Sequence, residues 1–171
     1  VAVIGGGQLA RMMQEEASAL GIHLRSLVEA ADGSTGQVVV DAPVGAADDE
    51  AAVRAVTAGD GTQGPGGEPV AVLTFEHEHQ DSSLLERLQD EGVSVQPTPQ
   101  ALELARDKLA MRRAMSEAGL PQPAWVEVGG PQQETAQEMS DAVEAFAAEH
   151  GWPVVLKTPR GGYDGHGVLL V

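Results

Sequence analysis

Several features are missing from this sequence, and each absence excludes a class of protein. There is no cysteine, so the chain forms no disulfide and carries no thiolate chemistry. The P-loop pattern G-x-x-x-x-G-K-[ST] is absent, which excludes that class of nucleotide-binding protein. No apolar run approaches the length of a membrane span, and no segment resembles a signal peptide. We therefore expect a cytoplasmic protein with no membrane partner.

Basic residues are scarce. The chain has 10 Lys and Arg against 26 Asp and Glu, which gives a formal net charge of -16 at pH 7. Such a surface repels nucleic acid, so we expect no nucleic-acid partner. An anionic ligand would need a local group of positive charge to overcome the negative potential of the protein. Lysine occurs only as Lys108 and Lys157, and these two positions need an explanation.

The first part of the chain has the alternating pattern of an α/β fold. With 171 residues and 42% hydrophobic residues, the chain can form one domain or slightly more. A strand at 1–4, a glycine turn, a helix at 8–20 and a strand at 22–28 predict a parallel sheet. Prolines at 97 and 99 mark a boundary, so residues 1–98 form a Rossmann-like domain. Within it we also expect strands at 37–40, 70–75 and 93–96 and helices at 48–57 and 82–91.

Residues 99–171 follow a different pattern, which begins with a long helix. Helical spacing covers 100–118, and a second helix is expected at 140–149. Strands are expected at 125–128, 154–157 and 168–171, and the last two flank a glycine-rich loop. A strand, a loop and an immediate return strand predict a hairpin.

The segment Gly5-Gly6-Gly7-Gln8-Leu9-Ala10 fits the pattern G-x-G-x-x-G/A between a strand and a helix. Glycines in this position let the backbone approach a phosphate, which binds the N–H groups of the helix N-terminus. Glu29, near the end of the second predicted strand, lies where a dinucleotide-binding enzyme holds a ribose. The alternative is a glycine turn that only allows close packing of the helix on the sheet.

The run Thr74-Phe75-Glu76-His77-Glu78-His79 ends the most apolar predicted strand. If the strand continues, the two carboxylates share one face and the two imidazoles the other. A zinc site needs three or four protein ligands, and no third candidate is evident nearby, so a polar substrate is favoured over a metal. The alternative for His77 and Glu78 is the solvated end of a strand.

Each lysine also has two interpretations. Lys108 lies in an acidic helix, where the structural interpretation is a surface lysine that pairs with neighbours such as Glu103 or Asp107. Its functional interpretation depends on the motif that contains Lys157. Lys157 ends an apolar strand and precedes the glycine-rich loop. An ammonium group beside flexible backbone N–H groups suits nucleotide phosphates, and such a loop can close over them. The alternative is an ordinary hairpin.

Together these segments resemble the ATP-grasp superfamily, in the branch of ligases that carboxylate 5-aminoimidazole ribonucleotide. The resemblance covers essentially the whole chain, and the glycine-rich loop is its most specific part. The segments that carry it are Gly5-Gly6-Gly7-Gln8-Leu9, Thr74-Phe75-Glu76-His77-Glu78-His79, Asp107-Lys108-Leu109, and Lys157-Thr158 with Gly161-Gly162-Tyr163-Asp164-Gly165-His166-Gly167.

The resemblance implies a pre-ATP-grasp domain at 1–98, which does not bind NAD, and the first part of an α+β ATP-grasp domain at 99–171. It implies that ATP and Mg²⁺ drive the addition of bicarbonate to 5-aminoimidazole ribonucleotide, through carboxyphosphate, in purine biosynthesis. A homodimer is expected for the full-length protein. Both ends of the sequence fall in apolar runs, so we expect the adenine-binding hinge and the Mg²⁺ ligands after Val171, and no activity from these residues alone.

Residue roles follow from the same resemblance, position by position. Lys157 is expected to neutralise phosphate charge and Asp164 to orient the substrate amine or accept its proton, so these two are the implied catalytic residues. Glu78 and His79 are weaker substrate-binding candidates. The implied ATP contacts are Lys108, Lys157, Gly162, Tyr163, Asp164, Gly165, His166, Gly167 and Val168. The implied substrate contacts are Gly7, Gln8, Leu9, Glu76, Tyr163 and Asp164.

Three alternatives stay open at this point. Another ATP-grasp ligase, such as a formate-dependent glycinamide ribonucleotide transformylase, has a loop that differs from the segment around Tyr163 and Asp164. A dinucleotide-binding oxidoreductase accounts for the first glycine turn but leaves Lys157 and the second glycine loop unexplained. A non-catalytic acidic binding module predicts no response to nucleotides.

Overall fold

The computed structural model describes residues 1–59, 61, 67–130, 133, 135–161 and 166–171. The chain forms two compact units, Val1–Leu102 and Glu103–Val171. The domain boundary after residue 98 stays a prediction.

The described part of the first unit is built on a parallel sheet with the strand order β2-β1-β3. The strands are β1 (Ala2–Ile4), β2 (Arg25–Leu27) and β3 (Leu73–Phe75). The central strand β1 is buried on both faces, as its continuous apolar sequence predicts. Val3 pairs with Ser26 on one side and Thr74 on the other. The predicted parallel sheet is confirmed.

Helices cover both faces of this sheet. Side chains alternate along β1, so Val3 packs with α1 (Gln8–Leu20), while Ala2 and Ile4 pack with α2 (Glu50–Ala58) and α3 (Ser82–Asp90). α1 ends at Gly21, which adopts the left-handed conformation with a φ of 69°. Asp49 and Asp81 cap the N-termini of α2 and α3, because each carboxylate accepts two backbone N–H groups.

The strand prediction at 37–40 is wrong. Val38 and Val39 both donate their backbone N–H groups to the Thr35 carbonyl oxygen, at 2.9 and 3.0 Å, and this makes the stretch a turn. A strand would need those N–H groups for its neighbour. Single parallel bridges occur instead between Arg25 and Asp41, between Val28 and Val44 and, within the strand predicted at 93–96, between Leu73 and Val95.

The long helix predicted at 100–118 is two helices, α4 (Pro99–Arg106) and α5 (Lys108–Glu117). Asp107 has extended dihedral angles, with φ of -118° and ψ of 111°, and its carboxylate caps α5. The Lys108 N–H leaves the helical pattern and donates to the Pro159 carbonyl oxygen at 2.9 Å. The break therefore has both a local cause and a tertiary one.

The rest of the second unit contains α6 (Ala136–His150) and the strands β4 (Val155–Lys157) and β5 (Val168–Leu170). β4 and β5 are antiparallel, with Lys157 paired to Val168, and this confirms the predicted hairpin. The strand prediction at 125–128 is wrong, since these residues lie in no strand and run beside the hairpin instead. Within the described ranges, none of the helices combines the length and apolar character needed to cross a membrane.

Candidate functional site

The glycine turn between β1 and α1 is held in place through its carbonyl groups. Ser26 Oγ donates to the Gly5 carbonyl oxygen at 2.7 Å. The Thr35 backbone N–H donates to Gly6 O at 3.1 Å, and Thr35 Oγ1 donates to Gly7 O at 2.7 Å. Ser26 and Thr35 are fully buried, so the donors of these bonds compete little with water. Sequence reasoning misses both residues, because an isolated Ser or Thr carries no pattern.

Glu76 binds the backbone of the same turn. It directly follows β3, and its own N–H donates to the Ile4 carbonyl oxygen at 2.9 Å, which continues the sheet beside β1. One carboxylate oxygen accepts the Gly7 N–H at 2.7 Å and the other accepts the Leu9 N–H at 2.9 Å. The structure thus brings together three of the predicted substrate-site residues. Gln8 lies between them, and its exposed side chain accepts a hydrogen bond from Ser34 Oγ at 3.1 Å.

The glycines are required by this close approach. A Cβ on Gly5 would lie 2.6 Å from Glu76 Cβ and 2.7 Å from Oε2. On Gly7, it would overlap the other carboxylate oxygen, and on Gly6 it would lie 3.0 Å from Val28 Cβ. Close packing accounts for all three glycines without a dinucleotide. The interpretation of the exposed Glu29 as a ribose-binding residue therefore loses its support, because it depended on a phosphate bound at this turn.

The histidines after β3 do not share a strand face. β3 ends at Phe75 and the chain bends from Glu76, so the alternation expected for a continuing strand is not realised. His77 Nδ1 accepts the His79 N–H at 3.3 Å, and Glu78 lies 3.4 Å from His79 Nε2. Among the described residues, no three or more His, Asp or Glu side chains gather in a way that could hold a metal ion.

The second candidate site lies where α5 contacts the start of the glycine-rich loop. Lys108 Nζ donates to the Gly161 carbonyl oxygen at 2.8 Å, and the Lys108 backbone N–H donates to Pro159 O at 2.9 Å. Lys108 therefore binds the loop with both its backbone and its side chain. Glu103 and Asp107, the acids expected to pair with a surface lysine here, are instead bound by Arg160.

Arg160 adds a second attachment for the loop. Its Nε donates to Asp107 Oδ2 at 3.0 Å, and its Nη2 forms an ion pair with Glu103 Oε1. Residues 159–161 are thus bound to the α4–α5 junction through two backbone carbonyls and one guanidinium group. No local pattern marks Arg160 as a functional residue, because its partners lie more than 50 positions earlier in the chain.

Lys157 lies two residues before Pro159, where β4 meets the glycine-rich loop. Its side chain is exposed, and the Thr158 N–H donates to Gly167 O at 2.9 Å, which closes the base of the loop. His166 is exposed, and Gly167 has a positive φ of 65°. Gly162, Tyr163, Asp164 and Gly165 lie outside the described residues. A groove of about 490 Å³ runs beside the hairpin, lined by Leu109, Val126, Glu127, Val128, Val155, Leu156, Lys157, Thr158, Pro159, Gly167, Val168 and Leu169.

Residues 1–106, which include the turn held by Glu76, match the family described as the ribonucleotide synthetase preATP-grasp domain. The chain belongs to this family. The match agrees with the parallel sheet and with the expectation that the first unit is a pre-ATP-grasp domain rather than a dinucleotide-binding module.

Named relatives extend the likeness over the whole chain. The N5-carboxyaminoimidazole ribonucleotide synthase of Mycobacterium tuberculosis (strain ATCC 25618 / H37Rv) is 44% identical over 170 residues, which are 99% of this chain and 35% of that protein. The synthetase structure from Staphylococcus aureus complexed with ADP has a TM-score of 0.77 at 27% identity, over 99% of this chain and 40% of that one.

A third similar structure holds two ligands. It is the N5-carboxyaminoimidazole synthase from Aspergillus clavatus in complex with ADP and 5-aminoimidazole ribonucleotide, with a TM-score of 0.76 at 26% identity. The match covers 99% of this chain and 39% of that one. This chain therefore spans little more than a third of the length of the relatives it matches.

Proposed function

We propose that this chain belongs to an ATP-dependent carbon–nitrogen ligase, an N5-carboxyaminoimidazole ribonucleotide synthase. The complete enzyme would carboxylate 5-aminoimidazole ribonucleotide with bicarbonate in purine biosynthesis. The observation that carries the proposal is the position of the only two lysines in the sequence. Lys157 precedes the glycine-rich loop, and Lys108 binds the first glycine of that loop, Gly161. The names of the relatives support the same activity.

The residues around the loop fit a nucleotide phosphate. In a chain with a net charge of -16, Lys157 offers an exposed ammonium group beside a groove. Lys108 and Lys157, with the loop residues Gly162, Tyr163, Asp164, Gly165, His166, Gly167 and Val168, are the proposed ATP contacts. Bound Mg²⁺ would neutralise charge on the phosphate oxygens, and its ligands are expected elsewhere in the complete protein.

The proposed substrate contacts in the first unit are Gly7, Gln8, Leu9 and Glu76. Each oxygen of the Glu76 carboxylate accepts one backbone N–H and keeps a further lone pair for a ligand. From the second unit, Tyr163 and Asp164 are proposed to contact the ribonucleotide. Glu78 and His79 remain weaker candidates.

In the proposed reaction, bicarbonate attacks the γ-phosphate of ATP to give carboxyphosphate and ADP. Lys157 stabilises the negative charge that develops on the transferred phosphoryl group. The substrate amine then attacks the carboxyl carbon of carboxyphosphate or of the CO₂ it releases, and phosphate leaves. Asp164 orients the amine or accepts its proton. Positioning and exclusion of water are the protein's main contributions, because carboxyphosphate hydrolyses easily.

Three features of the complete protein belong to the same proposal. Its first domain ends at residue 98 and its ATP-grasp domain begins at residue 99. It is a homodimer, and it acts in the cytoplasm.

The test follows ADP release by the full-length gene product with Mg-ATP and bicarbonate, with and without 5-aminoimidazole ribonucleotide. We expect release that depends on the ribonucleotide and falls by roughly 100- to 1,000-fold in Lys157→Ala. Arg87→Ala is the matched control, because it removes an exposed cation on α3 that binds Glu50 at 2.8 Å, far along the chain from the loop. Release with formate and glycinamide ribonucleotide instead would assign the chain to the transformylases. No release with either substrate would contradict the proposal.

A further inference from the structure

The turn between β1 and α1 has the components of a phosphate-binding site. The sequence Gly5-Gly6-Gly7 leads directly into the N-terminus of α1, where backbone N–H groups and the helix dipole favour an anion. In dinucleotide-binding folds this is the position of the pyrophosphate. In this protein the N–H groups of Gly7 and Leu9 are bound by the two oxygens of the Glu76 carboxylate, at 2.7 and 2.9 Å.

The carboxylate also fills the space that a phosphate would need. The position of a Cβ on Gly7 would overlap Glu76 Oε1, and the corresponding position on Gly5 lies 2.7 Å from Oε2. The glycines are therefore packed directly on the acidic side chain. Only the absence of their side chains lets the carboxylate reach the N–H groups.

The frame around this contact is fixed. The Glu76 N–H is bound to Ile4 O at 2.9 Å, and the carbonyls of the turn are bound by the buried Ser26 and Thr35. The backbone on both sides of the contact is therefore held in place.

We propose that Glu76 is an internal anion that occupies the phosphate position of this turn and closes that position to phosphate groups. A ribonucleotide that approaches the turn must place its phosphate elsewhere and offer Glu76 a hydrogen-bond donor instead. The inference goes beyond the proposed function, because it concerns which group the turn excludes and requires no turnover of ATP.

The test is inorganic phosphate binding by the full-length protein, with Glu76→Ala compared with the parent. Removing the carboxylate frees two N–H groups and the space above them, so phosphate should bind there. At a phosphate concentration ten times the dissociation constant, we expect the Tm of E76A to rise by roughly 3–6 °C more than that of the parent. The backbone amide resonances of Gly7 and Leu9 should shift with the same saturation curve.

Two controls isolate the site. Thr35→Val weakens the same turn at the Gly7 carbonyl but leaves Glu76 in place, so it corrects for general stabilisation of a weakened protein by phosphate. Glu86→Ala removes one exposed acid from α3 and corrects for the change in net charge. Both should respond to phosphate like the parent.

An E76A response equal to that of T35V, or unshifted Gly7 and Leu9 amides, would overturn the proposal. If E76A does not fold, Glu76→Ser replaces it, because the short hydroxyl side chain stays polar but leaves the space beside Gly7 open. A phosphate-dependent rise in Tm beyond that of T35V then supports the proposal, and an equal rise overturns it. Loss of ligase activity alone bears only on the proposed function, since the readout here is phosphate binding.

Discussion

Asp107 joins the helix that carries Lys108 to the loop that follows Lys157, and its substitution separates two effects. One carboxylate oxygen accepts the N–H groups of Leu109 and Ala110, at 2.9 and 3.0 Å, and so caps α5. The other oxygen accepts Arg160 Nε at 3.0 Å. Asp107→Ala removes both interactions, whereas Asp107→Asn keeps a good cap and removes the charge that holds Arg160.

The expected magnitudes follow from these contacts. Loss of the cap costs about 1 kcal/mol. The ion pair contributes at most about 1 kcal/mol, because the Arg160 side chain is 54% exposed and solvent weakens the attraction. D107A should therefore lose about 1–2 kcal/mol of stability, and D107N less. If the Arg160 contact aligns the loop for ATP, its loss should raise the KM for ATP roughly two- to fivefold in both variants.

The assay combines urea unfolding with the KM for ATP of the full-length protein. Asp81→Ala is the matched control, because Asp81 caps α3 through the N–H groups of Ser83 and Leu84, at 2.9 and 3.3 Å, in the other unit. D81A should lose a similar stability at an unchanged KM. An unchanged KM in D107N, or an equal rise in D81A, would refute the reasoning.

Two further predictions concern the stability of the first unit. Partial burial raises the pKa of Asp41, but hydrogen bonds from Arg25 and His23 outweigh it and hold that pKa below its usual range. The ionised Asp41 therefore contributes its full share to the free energy of unfolding above the unfolded pKa of about 3.9, and this share is lost as the pH falls through the folded pKa. In urea unfolding at a series of pH values, D41N should lose less stability towards acid than the parent. An unchanged slope of the free energy of unfolding against pH would contradict this. Gly5 and Gly21 both have positive φ, 138° and 69°, but only at Gly5 would a Cβ meet packed atoms. Gly21→Ala should cost roughly 1–2 kcal/mol and Gly5→Ala roughly 3–5 kcal/mol in urea unfolding, and equal losses would count against the packing argument.

The parts of the fold that depend on local signals can be predicted from the sequence. The helical spacing after Gly7 and the stop at Gly21 give α1 with its observed ends. The apolar run before Phe75 gives the strand that pairs with β1. Lys157 and the return strand at Val168 give the hairpin. In each case the residues that determine the element lie within it or next to it.

The remaining parts depend on contacts that no residue pattern marks, and two of these contacts join residues distant in the sequence. The break at Asp107 follows partly from the Lys108 bond to Pro159 O, which no helical pattern reveals. The turn at Val38 and Val39 replaces a plausible strand because Thr35 takes their N–H groups. Glu76 is identifiable as a polar residue at a strand end, yet its contact with Gly7 spans 69 positions. Each of these contacts uses a backbone group, and the residue pattern does not show where that group is bound.

The requirement for glycine at positions 5 and 7 has a consequence for how such sequences are classified. Glycine spacing of this kind is commonly used to recognise oxidoreductases, and a search that scores it alone would count this chain as a false positive. The residue that corrects the error is an acid placed directly after the third strand of the sheet. A pattern that scores the glycines together with that acid would separate two kinds of chain. In one, a carboxylate of the same chain binds the N–H groups of the turn, and in the other these N–H groups bind the phosphate of a cofactor.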